Sequence, residues 1–136
     1  MRKIRALAIA AALLAVLAGR VHGQAIYTGA APVLEAGLTT TVKTVKGTAG
    51  SVVLLTCANT NASVTFVQVF DVASATSVTL GTTVPKLVVP VPASGVGMLS
   101  ISNAIRFPNG IKAAATTTAT GNTAPGTALD CTFGIY

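Results

Sequence analysis

The residues able to do chemistry are few, and their spacing serves catalysis poorly. The chain has three carboxylates (Glu35, Asp71 and Asp130), a single histidine, His22, and two cysteines, Cys57 and Cys131. General acid and base work needs two titrating groups held close together. Glu35 lies in a lead-in containing Gly, Ala and Pro, while Asp71 and Asp130 fall on separate predicted strands. Brought side by side, the two aspartates would make an acid pair; read singly, each is a solvated strand residue. Ser and Thr hydroxyls are plentiful, but none has a neighbouring base to activate it. Gly95-Val96-Gly97 lacks the lysine and the following helix of a phosphate loop. Two cysteines with no nearby histidine cannot complete a tetrahedral metal set. Sugar platforms commonly present aromatic faces, and only Tyr27 and Tyr136 are on offer, the latter reading better as a packing or interface residue. The expectation is a protein that is not an enzyme and uses neither cofactor nor metal.

The elements that position these residues begin with a leader. Arg2, Lys3 and Arg5 precede an unbroken apolar run of 13 residues, Ala6 to Ala18, and small residues follow at Gly19, Gly23 and Ala25. That order fits a secretory signal peptide, with cleavage after Gly23 or Ala25. As a helix the run rises about 20 Å, short of the ~30 Å hydrocarbon core, so a permanent membrane span is not expected. The alternative is an uncleaved N-terminal arm over residues 1–25. Without the leader, Lys43, Lys46, Lys86, Arg106 and Lys112 face three carboxylates, and the formal charge falls from +6 to +2. Five scattered cations release few counterions, so no nucleic-acid partner is expected. His22 leaves with the leader. About 113 residues remain, enough for one domain.

Composition sets the fold class. Charged residues make up 9% of the chain and hydrophobic ones 51%, whereas about a quarter of a soluble domain is ordinarily charged. Thr, Ser, Asn and Gly must therefore cover the surface, and Glu, Lys and Arg are too scarce for a helical bundle. The pattern predicts an all-β domain: a single antiparallel β-sandwich or jelly roll of seven to eight strands over residues 38–136, preceded by an extended lead-in arm over 26–37 and by the apolar helix of the leader. Thr39 to Val45 and Ser51 to Cys57 read as strands, the second with Val53, Leu55 and Cys57 on one face. Asn59-Thr60-Asn61 is a turn, because asparagine tolerates left-handed backbone. Its overlap with Asn61-Ala62-Ser63 also matches the N-glycosylation pattern.

Val64 to Val72 reads as the central strand, with Phe66 and Phe70 on one side and Val67 and Val69 loading the other. Leu87, Val89 and Val91 alternate along a strand that Pro90 and Pro92 confine to an edge. Leu99 and Ile101 face inward on the next, and Asn109-Gly110 signals a hairpin. Ile111 to Thr120 is a further strand, and the last is the cleanest, with Leu129, Cys131, Phe133 and Ile135 pointing one way. The predicted core is Val53, Leu55, Phe66, Phe70, Leu87, Val89, Leu99, Ile101, Phe133 and Ile135. Cys57 and Cys131 both sit on apolar strand faces, and in an exported chain such a pair favours a disulfide. Closing a loop of about 75 residues contributes about 4.5 kcal/mol on the chain-entropy estimate. The alternative is two buried reduced thiols.

A longer pattern runs through the middle of the chain. Asn59-Thr-Asn61-Ala-Ser-Val-Thr-Phe66-Val-Gln-Val-Phe70-Asp71 leads through Gly81-Thr-Thr-Val-Pro85 into Leu87-Val-Val-Pro90-Val-Pro92-Ala-Ser-Gly95, then Ile105-Arg106-Phe107-Pro-Asn-Gly110-Ile111. Over about residues 51–121 this resembles a family of small β-rich proteins encoded by tailed bacteriophages and prophages. The resemblance implies a virion-associated structural module of the kind found on capsid surfaces, tails or fibres. The scarcity of charge and the small Thr, Ser and Ala strand faces lead us to expect a homo-oligomer that also meets neighbouring particle proteins, assembling through β edges and the arm over 26–37. The resemblance carries over no catalytic residues. The leader and the cysteine pair depart from that pattern and fit a secreted bacterial surface or adhesion module instead. The expected location is the virion, or the periplasm or exterior after export. If Ala6 to Ala18 is an export signal, Leu14→Arg blocks export by placing a charge in the apolar run. Recovery of Met1 by N-terminal sequencing of the mature product would reject cleavage.

Overall fold

The computed structural model describes residues 29–136. The leader, both proposed cleavage positions and His22 lie outside the described residues. Eight strands are formed: β1 (Ala31–Leu38), β2 (Lys43–Lys46), β3 (Gly50–Asn59), β4 (Thr65–Asp71), β5 (Leu87–Val91), β6 (Gly95–Phe107), β7 (Ile111–Thr116) and β8 (Leu129–Ile135). They build two four-stranded antiparallel sheets, one in the order β1-β8-β3-β6 and the other β2-β7-β4-β5. The described part of the chain is thus all-β, as composition led us to expect.

The sheets are held face to face by a shared apolar layer. Leu38, Val52, Leu55, Cys57, Phe107, Leu129, Cys131, Phe133 and Ile135 come from the first sheet, and Val45, Val67, Val69, Val89, Val91, Ile111, Ala113 and Ala115 from the second. Valines and isoleucine favour the pleated backbone because their branched Cβ packs well on it. The small Ala113 and Ala115 allow close approach in the middle of the second sheet. Gly97 does the same where the sheets meet at one side: a Cβ there would stand 3.0 Å from the Val91 Cα and 3.1 Å from the Pro90 carbonyl oxygen.

Only β4 and β5 are consecutive strands of one sheet; every other connection crosses to the opposite sheet. Three expectations change as a result. Residues 31–37, assigned to the lead-in arm, form with Leu38 the edge strand β1, which pairs with β8 from Ala31↔Ile135 to Leu38↔Leu129. The strand expected over Thr39–Val45 is shortened to β2, because Thr39 to Thr41 bend between sheets, where the Thr39 carbonyl accepts from the Ala115 amide. Asn109-Gly110 makes a corner from β6 to β7, not a hairpin. A two-residue type I′ hairpin needs positive φ at both positions, and here Gly110 has it (φ +140) while Asn109 does not.

The expected core is divided by the same geometry. Leu55, Val89, Phe133 and Ile135 belong to the layer between the sheets, with Leu87 and Leu99 half-buried against it. Phe66 and Phe70 do not join it, because Val67 and Val69 take the inner face of β4 and alternation turns the phenylalanines outward. Phe70 is nonetheless fully buried and Phe66 half-buried. Val53 occupies a bulge between Val52 and Leu54 and is buried outside the shared layer, beside Gly134. Ile101 lies where the β3–β6 register shifts, between Leu54↔Ser100 and Val52↔Ile105, and is only half-buried.

Phe70 is buried because loops roof the outer face of the second sheet. Gln68 Nε2 donates to Thr116 Oγ1 (2.7 Å) and to the Gly121 carbonyl (3.0 Å), fastening the β7–β8 loop over β4. Asn122 of that loop lies 3.6 Å from where a Gly81 Cβ would stand, in the β4–β5 crossover, so the two loops meet. Every residue of β7 is buried in consequence, Lys112 included.

Cys57 and Cys131 are direct register partners on β3 and β8 and are joined by a disulfide buried in the shared layer. The folded protein should therefore show no free thiol on denaturation without reductant. Cys57→Ser with Cys131→Ser lowers unfolding stability by about 2–5 kcal/mol. Equal urea midpoints for the variant and parent would contradict that role.

Candidate functional site

The polar residues singled out from the sequence are mostly engaged in holding strands and loops. Asp71, at the end of β4, receives the Lys86 ammonium on Oδ2 (2.8 Å) and the Asn109 amide on Oδ1 (2.8 Å). It thereby ties the β4–β5 crossover to the β6–β7 corner. The same ammonium lies 5.2 Å from the centre of the Phe107 ring, a cation–π distance. Burial pushes the Asp71 carboxyl upward, but the Lys86 bond and charge and the Asn109 and Gly110 amides outweigh it and hold it below its ordinary value. Asp130 lies in the other sheet and accepts from the Gly37 amide (2.9 Å) at the β1 bulge, where Gly37 has φ +69. The two aspartates are thus separately employed and form no acid pair.

Asn59 and Asn61 do more than make a turn. Asn59 is buried at the end of β3, and its Nδ2 is shared among the carbonyls of Ser63, Val91 and Pro92 at 3.0–3.2 Å. Its Oδ1 accepts from the Asn61 amide (2.9 Å) and from Asn61 Nδ2 (2.8 Å). Asn61 in turn exchanges bonds with the Thr127 backbone at 2.8 and 2.6 Å. The expected left-handed backbone is absent from both asparagines; Ser94 alone among the described non-glycine residues has positive φ. Side-chain bonding does the work, and in the folded protein Asn61 Nδ2 is engaged by Asn59 Oδ1 and the Thr127 carbonyl. Lys112 is also enclosed, its Nζ donating to the Lys46 carbonyl at 3.3 Å.

Among the described residues, no cluster of three His, Cys, Asp or Glu side chains could hold a metal ion. An open hollow of about 390 Å³ is lined by Ala58, Asn59, Thr60, Ser94, Gly95 and Val96, none of which titrates as an acid or base. A smaller one of about 170 Å³, lined by Ala30, Pro32, Val53, Leu54, Thr132 and Gly134, is almost wholly apolar. No side chain lining the second hollow is an acid or a base either.

The candidate site is the surface between these hollows. Register aligns Leu34, Thr132, Thr56 and Met98 in one row across the outer face of the first sheet. Flanking rows run Pro32-Gly134-Leu54-Ser100 and Asp130-Ala58-Val96. Leu34 is 69% exposed, Met98 71% and Val96 62%. Asp130 is the single charge in the three rows. No loop comparable to the roof of the second sheet spans this face among the described residues. The sequence shows Leu99 pointing inward and hence Met98 outward, but the row exists only through pairings between strands far apart in the chain.

The Asp71 contact has a pH signature. A carboxyl lowered on folding stabilises the fold fully above its unfolded pKa of about 4. That contribution is lost as pH falls through the lower folded value. Asp71→Asn should therefore reduce stability near neutrality and flatten the acid limb of the stability curve below about pH 4, read from urea midpoints across pH. An unchanged acid limb would show that Asp71 contributes nothing to it.

Comparison with known proteins leaves the function to these observations: no family model, curated protein or solved structure matches the chain.

Proposed function

We propose that this protein is a non-enzymatic structural subunit of a phage-type particle, on a capsid surface, tail or fibre, and that its two sheets form a jelly roll. The strand orders β1-β8-β3-β6 and β2-β7-β4-β5 suit that architecture, in which successive strands alternate between sheets. Jelly rolls serve in capsid and lectin domains alike, so the fold supports the role only alongside a surface that fits it. That surface is the observation that carries the reading. Exposed Leu34 and Met98 stand in one row with threonines between them, beside exposed Val96, so apolar side chains on this face are open to a partner. With few charges there is little repulsion to keep copies apart. The resemblance of residues 51–121 to virion-associated proteins points the same way, and the partners are further copies and neighbouring particle proteins.

A second reading is a secreted bacterial surface or adhesion module. The buried Cys57–Cys131 disulfide favours it, since such bonds persist chiefly in oxidising compartments. Mass spectrometry of purified particles and of the periplasm from the same host separates the two. The subunit reading expects the protein in particles at a fixed ratio to their main components. Recovery from the periplasm or cell surface alone, with none in particles, would replace it with the secreted module.

A further inference from the structure

Each sheet edge can be judged by what guards it. β1 carries Pro32 and Glu35, β2 is four residues long with Lys43 and Lys46, and β5 holds Pro90 with Pro92 just beyond. Proline, lysine and short length are ordinary means of stopping an edge from pairing. β6 has none of them from Gly95 to Ile105, and its first charge is Arg106. It is also the longest strand, at 13 residues. Its regular stretch, Gly95–Ser100, pairs on one side with Leu54–Asn59 of β3.

The direction of its free hydrogen-bonding groups follows from the disulfide. The Cα atoms of Cys57 and Cys131 are 4.1 Å apart, the close spacing of a non-hydrogen-bonded antiparallel pair. Cys57 therefore turns its amide and carbonyl away from β8 and toward its other partner, Gly97. Alternation then directs the amides and carbonyls of Gly95, Gly97 and Leu99 to β3, and those of Val96, Met98 and Ser100 to the open side. Among the described residues no strand pairs with that side over Gly95–Ser100.

We propose that β6 pairs antiparallel with β6 of a second copy about a two-fold axis at Met98, joining two four-stranded sheets into one of eight. The proposal rests on the subunit reading and names the edge through which copies meet. A two-fold contact sets each residue against the same strand reversed: Met98 against Met98, and Val96 against Ser100. The segment suits this because it has no charge to face its own copy and no proline on the bonding side. The pairing also makes the row of Leu34, Thr132, Thr56 and Met98 continuous with its mate, bringing the two exposed methionines into contact. An edge of six residues is about 20 Å long. It covers less than the ~800 Å² per partner of a standard stable interface, so the dimer forms reversibly with concentration.

The test is sedimentation velocity of the folded, disulfide-intact protein over a wide concentration range, with two edge variants. Val96→Lys places a lysine on the edge strand opposite Ser100 of the other copy, one of the ordinary means of stopping an edge from pairing. Met98→Pro removes an amide that faces away from β3, so the ladder within the subunit is kept. The parent should shift toward dimer as concentration rises, and each variant should associate at least about ten-fold more weakly. If Met98→Pro fails to fold by circular dichroism, Val96→Lys carries the comparison. Met98→Cys should form a disulfide-linked dimer on mild oxidation, whereas Val84→Cys, an exposed control in the β4–β5 crossover, should not. Association of the parent that both folded variants retain would overturn the β6 pairing and leave the subunit reading standing. A parent that stays monomeric throughout overturns the pairing, and its absence from purified particles as well would remove the subunit reading.

Discussion

The pairing of β3 with β8 beneath the Cys57–Cys131 disulfide is the constraint on which the rest of the structure depends. β8 lies between β1 and β3, and β3 between β8 and β6, so their shared ladder is the only seam that makes the first sheet one piece. Without it the sheet would divide into β1-β8 and β3-β6. The two strands are 74 residues apart at the cysteines, and their encounter carries the loop-closure cost of nearly the whole domain. Nearly every connection also crosses between sheets, so little of the fold can form as local hairpins. A chain of this kind is expected to fold slowly by comparison with one rich in local contacts. The covalent bond reduces the freedom of the unfolded chain at the seam where that freedom is most costly.

The two outer faces are treated differently, and the contrast directs attention to one of them. Over the second sheet, the β4–β5 crossover and the β7–β8 loop form a roof fastened by Gln68 and enclosing Phe70 and Lys112. The other connections between the sheets are short, and Leu34, Val96 and Met98 stay exposed. Burying apolar surface is the main favourable contribution in folding and association alike. Among the described residues, two long loops cover one face and none covers the other.

Scarcity of charge shapes how the polar groups are satisfied. Asn59, Asn61 and Gln68 bond mainly to backbone carbonyls and amides, linking turns and loops that no ladder reaches. The side-chain NH2 groups engaged in this way avoid the cost of about 1–3 kcal/mol for a buried donor left unpaired, while Gln68 Oε1 is buried without a hydrogen-bond partner. Asp71 and Asp130, the most natural candidates for acid chemistry, are used as staples for a corner and a bulge. Their geometry serves the shape of the domain.

The sequence by itself determined the class of structure and most of its strands. Thr and Val runs broken by Gly, Pro and Asn placed β3, β4, β5, β7 and β8 within a few residues, because period-two alternation is a local property of the backbone. The same alternation put Cys57 and Cys131 on inner faces and left the oxidised and reduced forms open. Tertiary structure alone decided which strands are neighbours, and therefore that the cysteines stand opposite each other. It decided that Asn109-Gly110 turns a corner: the Asn109 amide is taken by Asp71, 38 residues earlier, and a dipeptide cannot announce such a partner. It decided which face of β4 lies between the sheets, because both faces offer apolar side chains, both are covered, and only the position of the roof loops tells which is inside. It drew residues 31–38 into the first sheet, where the edge of β8 satisfies backbone groups that have no partner nearer in sequence. The exposed row across the first sheet has the same origin. Its four residues come from four strands, and only the hydrogen-bonded register between those strands makes them one surface.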